Sequence, residues 1–148
     1  MNTLIIADHQ WRRGDFTLST ERERLNMDWI HTQLSERSYW ARGQPRSKTE
    51  RAIAGSLPFG LYHLAEQVGF ARLITDYTRF GWLCDVMIDE AWRGQGLGSW
   101  LAGCIREHPE LQTVHRWMLS THDAHPVYQR LGWRIVKDPQ KLMEFPLT

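Results

Sequence analysis

The chain has 148 residues, a single-domain length, and 42% of them are apolar, enough for a buried core. The net charge is +1 with Lys and Arg scattered, so no basic stripe for nucleic acid is present. No window approaches the roughly 18 apolar residues of a membrane span, no leader-like stretch opens the chain, and the two cysteines, Cys84 and Cys104, fall in apolar patterns; a cytoplasmic protein with no disulfide framework is expected.

The elements follow in order. Thr3 to Ala7 reads as a short irregular strand, and Phe16 to Leu18 as the next. Thr20-x-x-Glu23 has the spacing of a capping box, although Asn26 could equally start the helix whose apolar stripe is Leu25, Trp29, Ile30 and Leu34. Ser38-Tyr39-Trp40 sits in a loop that ends at Gly43-Gln44-Pro45. Ser47-x-x-Glu50 then opens a short helix to about Gly55. Phe59 to Leu64 and Val68 to Thr75 form a hairpin, and Phe80 to Asp89 is a central strand with Trp82, Cys84, Val86 and Ile88 on one side and Leu83, Asp85, Met87 and Asp89 on the other. Leu97, Trp100, Leu101, Cys104 and Ile105 make the stripe of a helix that His108-Pro109 ends. Val114 to Ser120 is a strand, Ala124 to Leu131 a short helix stopped by Gly132, and 133–136 with 142–145 a terminal strand pair. Hairpins mixed with strand–helix–strand crossovers give an α/β (α+β) domain on one mixed sheet, spanning 1–148. The seven histidines show no HxH, HExxH or Cys/His zinc spacing, so no metal site is expected.

The run Arg93-Gly94-Gln95-Gly96-Leu97-Gly98 joins the central strand to its helix. A helix start presents unpaired N–H groups and partial positive charge, and glycines let an anion approach the backbone. The run is not a P-loop, because no Lys stands where that motif needs one. It is not a dinucleotide fingerprint, because Ser99 occupies the third glycine position. The spacing R-x-x-G-x-G (Arg93, Gly96, Gly98) resembles the pyrophosphate-binding motif of the GNAT superfamily of N-acetyltransferases. A second segment agrees. Arg116 to Trp133 reads strand, polar turn, helix bearing Tyr128, then Leu131-Gly132-Trp133, as in that family. Two departures stand out: Thr121 to His125 replaces a stretch that often holds a cofactor-contacting Asn, and Trp133 replaces a more usual Phe.

The resemblance implies a central mixed sheet of about six to seven strands, splayed between the fourth and fifth, with about four helices. It implies acetyl-coenzyme A as cosubstrate and an amine of a small molecule as acceptor. The backbone of Val86, Met87 and Ile88 would hold the pantetheine arm, and Gly94, Gln95, Gly96, Leu97, Gly98 and Ser99 the pyrophosphate. Arg93 would contact that group or hold the loop. Tyr128 would protonate the departing thiolate, since a phenol near pKa 10 matches an alkyl thiol; a core Tyr is the other reading. Asp85 is a candidate base or the partner of an Arg, with His122 and His125 also open. Tyr39, Trp40 and Tyr77 would line the acceptor pocket or fill core. A homodimer is a habit of the family. A non-catalytic acyl-coenzyme A sensor is the alternative function.

Overall fold

The computed structural model describes residues 3–147. Six strands lie side by side in chain order: β1 (Gln10–Arg13), β2 (Phe16–Ser19), β3 (Leu57–His63), β4 (Glu66–Thr75), β5 (Phe80–Ile88) and β6 (Arg116–Leu119). Neighbours from β1 to β5 are antiparallel, and β6 joins β5 in parallel. Four α-helices accompany them among the described residues: α1 (Met27–Thr32), α2 (Arg46–Ala54), α3 (Leu97–Glu107) and α4 (His125–Arg130). This is the expected mixed-sheet architecture. No helix among the described residues is long and apolar enough to cross a membrane.

The sheet separates two cores. On one face Leu97, Leu101 and Ile105 of α3 pack with Leu18, Phe59, Leu61, Leu73 and Leu83. On the other, Ile30 and Leu34 pack with Ile53, Phe70 and Met87. The α3 stripe read from the sequence is therefore the buried face of that helix, with all three aliphatic residues at 2% exposure or less.

Local chemistry sets the helix starts, and in two places it differs from the spacing rules. Asn26 is the cap of α1, its Oδ1 accepting from Trp29 N at 3.0 Å. Thr20 does not cap. Its hydroxyl accepts from His9 N at 3.0 Å, tying the entry to β1 against the exit from β2, and only a 3₁₀ turn (Arg22–Arg24) follows. Ser47 does not cap α2 either: Pro45 is the cap residue, and Glu50 pairs with Arg46 at 3.1 Å instead. Beyond Thr32, α1 widens into a π-helical turn over Gln33–Arg37.

Both chain ends depart from expectation. No strand forms over Thr3 to Ala7, where Leu4 and Ile5 are exposed; the first strand is Gln10–Arg13. The terminal pair, 133–136 and 142–145, is also absent. Pro139 opens a 3₁₀ turn between them, Pro146 lacks a donor, and β6 offers an edge of only four residues. Met143 and Phe145 stay exposed. The sheet parts between its fifth and sixth strands, β5 and β6, rather than between the fourth and fifth.

His108 ends α3 and is fully buried. Its Nδ1 accepts from Glu110 N at 3.1 Å, while Nε2 has no partner and the ring meets His9 edge-on at 4.9 Å. Burial, and then the neighbouring His9, push its pKa below the usual 6.5, with Glu110 opposing. The unfolded chain therefore takes up this proton first as pH falls below about 6.5, and stability is lost from there downward. We expect the urea midpoint to drop between pH 7 and pH 5, and to drop less in His108→Asn, which keeps an acceptor for Glu110 N.

Candidate active site

The site begins with one extra residue in β5. Phe70 pairs with Met87 and Arg72 with Cys84, so Asp85 and Val86 together face Ala71. This is a β-bulge. Asp85 takes φ +53°, a left-handed conformation that Asp tolerates better than most residues. Both carboxylate oxygens hold it there. Arg72 Nε donates to Oδ2 at 2.6 Å, and Trp40 Nε1 donates to Oδ1 at 2.8 Å. The Asp85 side chain is 10% exposed and that of Arg72 16%. The bulge also breaks the alternation expected along this strand: Leu83, Val86 and Ile88 pack toward one core and Met87 toward the other.

Past Leu83, paired with Leu119, no strand among the described residues lies beside β5 on the β6 side. The edge from Cys84 to Ile88 leads to the glycine run. Gly94 and Gly96 have φ of +83° and +80°, and Gly96 caps α3. A side chain at either position would be strained. The amides of Leu97, Gly98 and Ser99 begin the helix without intrahelical acceptors. Three bonds brace the loop: Arg93 Nε donates to Ile88 O, Gln95 Nε2 to Trp92 O, and Arg13 Nη2 to Gln95 O, each at 3.0 Å. Of the two roles open to Arg93, holding the loop is the one its Nε performs.

A cavity of about 710 Å³ occupies the parting of the strands. Val86, Met87 and Ile88 line it from the strand, and Arg93, Gly94, Gly96, Leu97, Gly98 and Ser99 from the loop and α3. Tyr128 lines it from α4, and Tyr39 and Trp40 from the loop after α1. Gln95 does not; its side chain turns back to Trp92. Asp85 stands behind the lining, bound on both oxygens. Tyr77 is not in the cavity. It packs on the α3-side core and borders a separate hollow beside Leu4, Ile6 and Arg22. Tyr128 stacks edge-on with Trp133 at 5.9 Å, and its hydroxyl has no hydrogen-bond partner among the described residues. Burial pushes its pKa above the usual value of 10. No group of three or more His, Cys, Asp or Glu among the described residues could hold a metal ion.

The cavity also takes in Gln33, Arg37, Trp92, Asp123 and Arg130, which sequence reasoning did not single out. Gln33 carried a signal, as a polar residue between the apolar Ile30 and Leu34 of one stripe. Arg37 carried none, because its position depends on the π-helical turn.

A family model described as Acetyltransferase (GNAT) domain matches residues 58–135, which run from Pro58 in β3 through α4 and include the whole glycine run. The chain belongs to the GNAT acetyltransferase family. It is an acyltransferase. A protein of Gibberella zeae whose name places it among acetyltransferases is 31% identical, over 88% of this chain and 85% of that one. A crystal structure of a protein assigned to the GNAT family from Xanthomonas campestris pv. campestris superposes with TM-score 0.86 at 39% identity, covering 89% and 93% of the two chains. A GNAT family acetyltransferase from Elizabethkingia anophelis, solved with acetyl-CoA bound, shares the fold at TM-score 0.65 and 13% identity, over 84% of this chain and 80% of that one.

In this acetyltransferase the Arg72–Asp85 pair fixes the bulge. Asp85→Ala should cost about 3 kcal/mol by leaving a mostly buried guanidinium without its partner. Asp85→Asn, which keeps an acceptor and tolerates the left-handed backbone, should cost clearly less. Denaturant unfolding of the two variants checks the order.

Proposed function

We propose that this enzyme transfers the acetyl group of acetyl-coenzyme A to a primary amine of a small molecule, by direct attack, with Tyr128 as general acid. The observation that carries the reading is the single cavity joining the unpaired edge of β5, the positive-φ glycine loop and the unengaged Tyr128 hydroxyl. Acetyl-coenzyme A supplies an activated acyl group on a thioester. The β5 edge from Val86 to Ile88 takes the pantetheine arm as an added strand. The amides of Leu97, Gly98 and Ser99 receive the pyrophosphate, with the free end of the Arg93 guanidinium beside them.

The amine nitrogen attacks the thioester carbon. An N–C bond forms, the C–S bond breaks, and negative charge gathers on the carbonyl oxygen, where a backbone N–H of β5 can meet it. The departing thiolate takes the phenolic proton of Tyr128, and the proton that the attacking nitrogen sheds in becoming the amide restores the phenol. A phenol whose pKa is raised by burial keeps that proton through neutral pH. Asp85 is committed to Arg72 and Trp40, which favours its structural role; the ammonium proton of the acceptor leaves to solvent through the open cavity. Cys104 is buried in the α3-side core and Cys84 is half-buried, burial pushing both thiol pKa values up to about 11; free thiols suit a reducing compartment such as the cytoplasm.

Calorimetric titration with acetyl-coenzyme A should show micromolar binding that Arg93→Ala weakens and Gly96→Glu removes. Tyr128→Phe should bind as wild type does and lose about 100-fold in kcat, a loss of the size general-acid catalysis supplies. Wild-type turnover in Tyr128→Phe would remove the acid role. Binding without thiol release for any amine would favour a sensor.

A further inference from the structure

Two unpartnered charges on different walls of the cavity point to an acceptor class; Arg130 of α4 lines the cavity as well. One wall is α1 with its π-helical extension. It is pinned alongside β5 at both ends: Trp29 Nε1 donates to Asp89 Oδ2 at 3.2 Å, and Trp40 Nε1 to Asp85 Oδ1 at 2.8 Å. The wall therefore runs antiparallel to β5, from the glycine loop toward the bulge. Arg37 comes near the end of this run, three residues before Trp40, so it stands at the bulge end of the cavity, away from the phosphate loop. It is exposed, lines the cavity, and has no hydrogen bond or ion pair with any described residue. The π turn puts it there, because the widened turn shifts every later residue relative to a regular helix.

The opposite wall is the segment from β6 into α4. Asp123 lines the cavity from this side and is likewise without a partner among the described residues. The two walls meet where the Tyr39 ring lies 5.5 Å from His122, the residue before Asp123. Asp123 is thus at the same end as Arg37. That end holds one free guanidinium and one free carboxylate on facing walls. The exposed rings of Tyr39 and Trp40, set edge to face at 5.0 Å, line the same cavity.

Resting on the acetyltransferase reading above, we infer that the acceptor is an amine that also carries a carboxylate, as a free amino acid with an apolar or aromatic side chain does. Arg37 binds the carboxylate as a planar two-donor fork. Asp123 draws the ammonium into the same end, and the apolar body lies on Tyr39 and Trp40. Arg37 is a specificity residue here: it touches the acceptor and takes no part in bond making. A diamine or an uncharged arylalkylamine lacks the group Arg37 needs.

The test compares matched acceptors, free apolar and aromatic amino acids against the same amines lacking the carboxylate, by thiol release from acetyl-coenzyme A. Wild type should prefer the carboxylate-bearing member at least tenfold in kcat/KM. Arg37→Ala should raise KM for that member with little change in kcat, and erase the preference. Arg37→Glu should reverse it. Acetyl-coenzyme A binding by calorimetry should be unchanged in both variants. Equal or better use of the decarboxylated amines, no use of any amino acid, or a uniform loss in Arg37→Ala would overturn the inference while leaving the acetyltransferase reading in place. Failure of folded wild type to bind acetyl-coenzyme A would overturn both, and calorimetry separates the two cases.

Discussion

A carboxylate holding one residue of β5 in a left-handed conformation is the constraint on which the cleft depends. Without Asp85 bonded to Arg72 on one side and Trp40 on the other, β5 has little reason to keep an extra residue opposite Ala71. With it, the strand bends and changes the phase of its side chains. Val86 and Ile88 pack toward α3 while Met87 packs toward α1. The same bend lies just past the last residue that pairs with β6. One local distortion thus leaves a strand edge open, turns it toward the glycine loop and anchors the aromatic loop at the far end. The left-handed residue costs something by itself; a two-donor clamp on a mostly buried carboxylate offsets that cost.

Legibility followed how local each cause was. The glycine loop could be read because its requirements sit in six consecutive residues: positive φ at two glycines, a helix start and an adjacent Arg. Tyr128 was legible by its fixed place between a strand and a Leu-Gly-Trp stop. The bulge was not, since Trp82 to Asp89 alternates as well with or without an inserted residue, and only pairing with β4 reveals it. The π turn, and Arg37 with it, was hidden for the same reason. Aromatics in loops proved an uneven guide. Tyr39 and Trp40 line the cavity, but Tyr77 fills core at a hairpin end. The terminal strands failed because periodicity does not supply a partner. Pro139, Pro146 and a four-residue β6 leave those segments little to pair with.

Two tryptophan N–H groups carry more than their number suggests. Trp29 and Trp40 each donate to an aspartate of the β5 region, at its end and at its bulge. They set the direction of α1 and so decide which of its residues face the cavity. Apolar packing of Ile30 and Leu34 supplies the adhesion, but slippage along a greasy surface is limited by directional bonds. A buried polar residue, Gln33, falls between these anchors and opens on the cavity.

The placement of these anchors has a consequence for how such a molecule can diversify. The family match covers 58–135, which contains the sheet centre, the bulge and the glycine loop. The α1 wall, including Arg37, Tyr39 and Trp40, lies wholly before it and reaches the sheet through a handful of side chains. The chain is therefore divided along its own length: a sheet that carries the glycine loop, and a facing that reaches it through few side chains. Changes in that facing need not disturb the glycine loop, provided two indoles still find their carboxylates. If that facing reads the acceptor, as proposed above, new preferences can accumulate along it while the rest of the fold stands still.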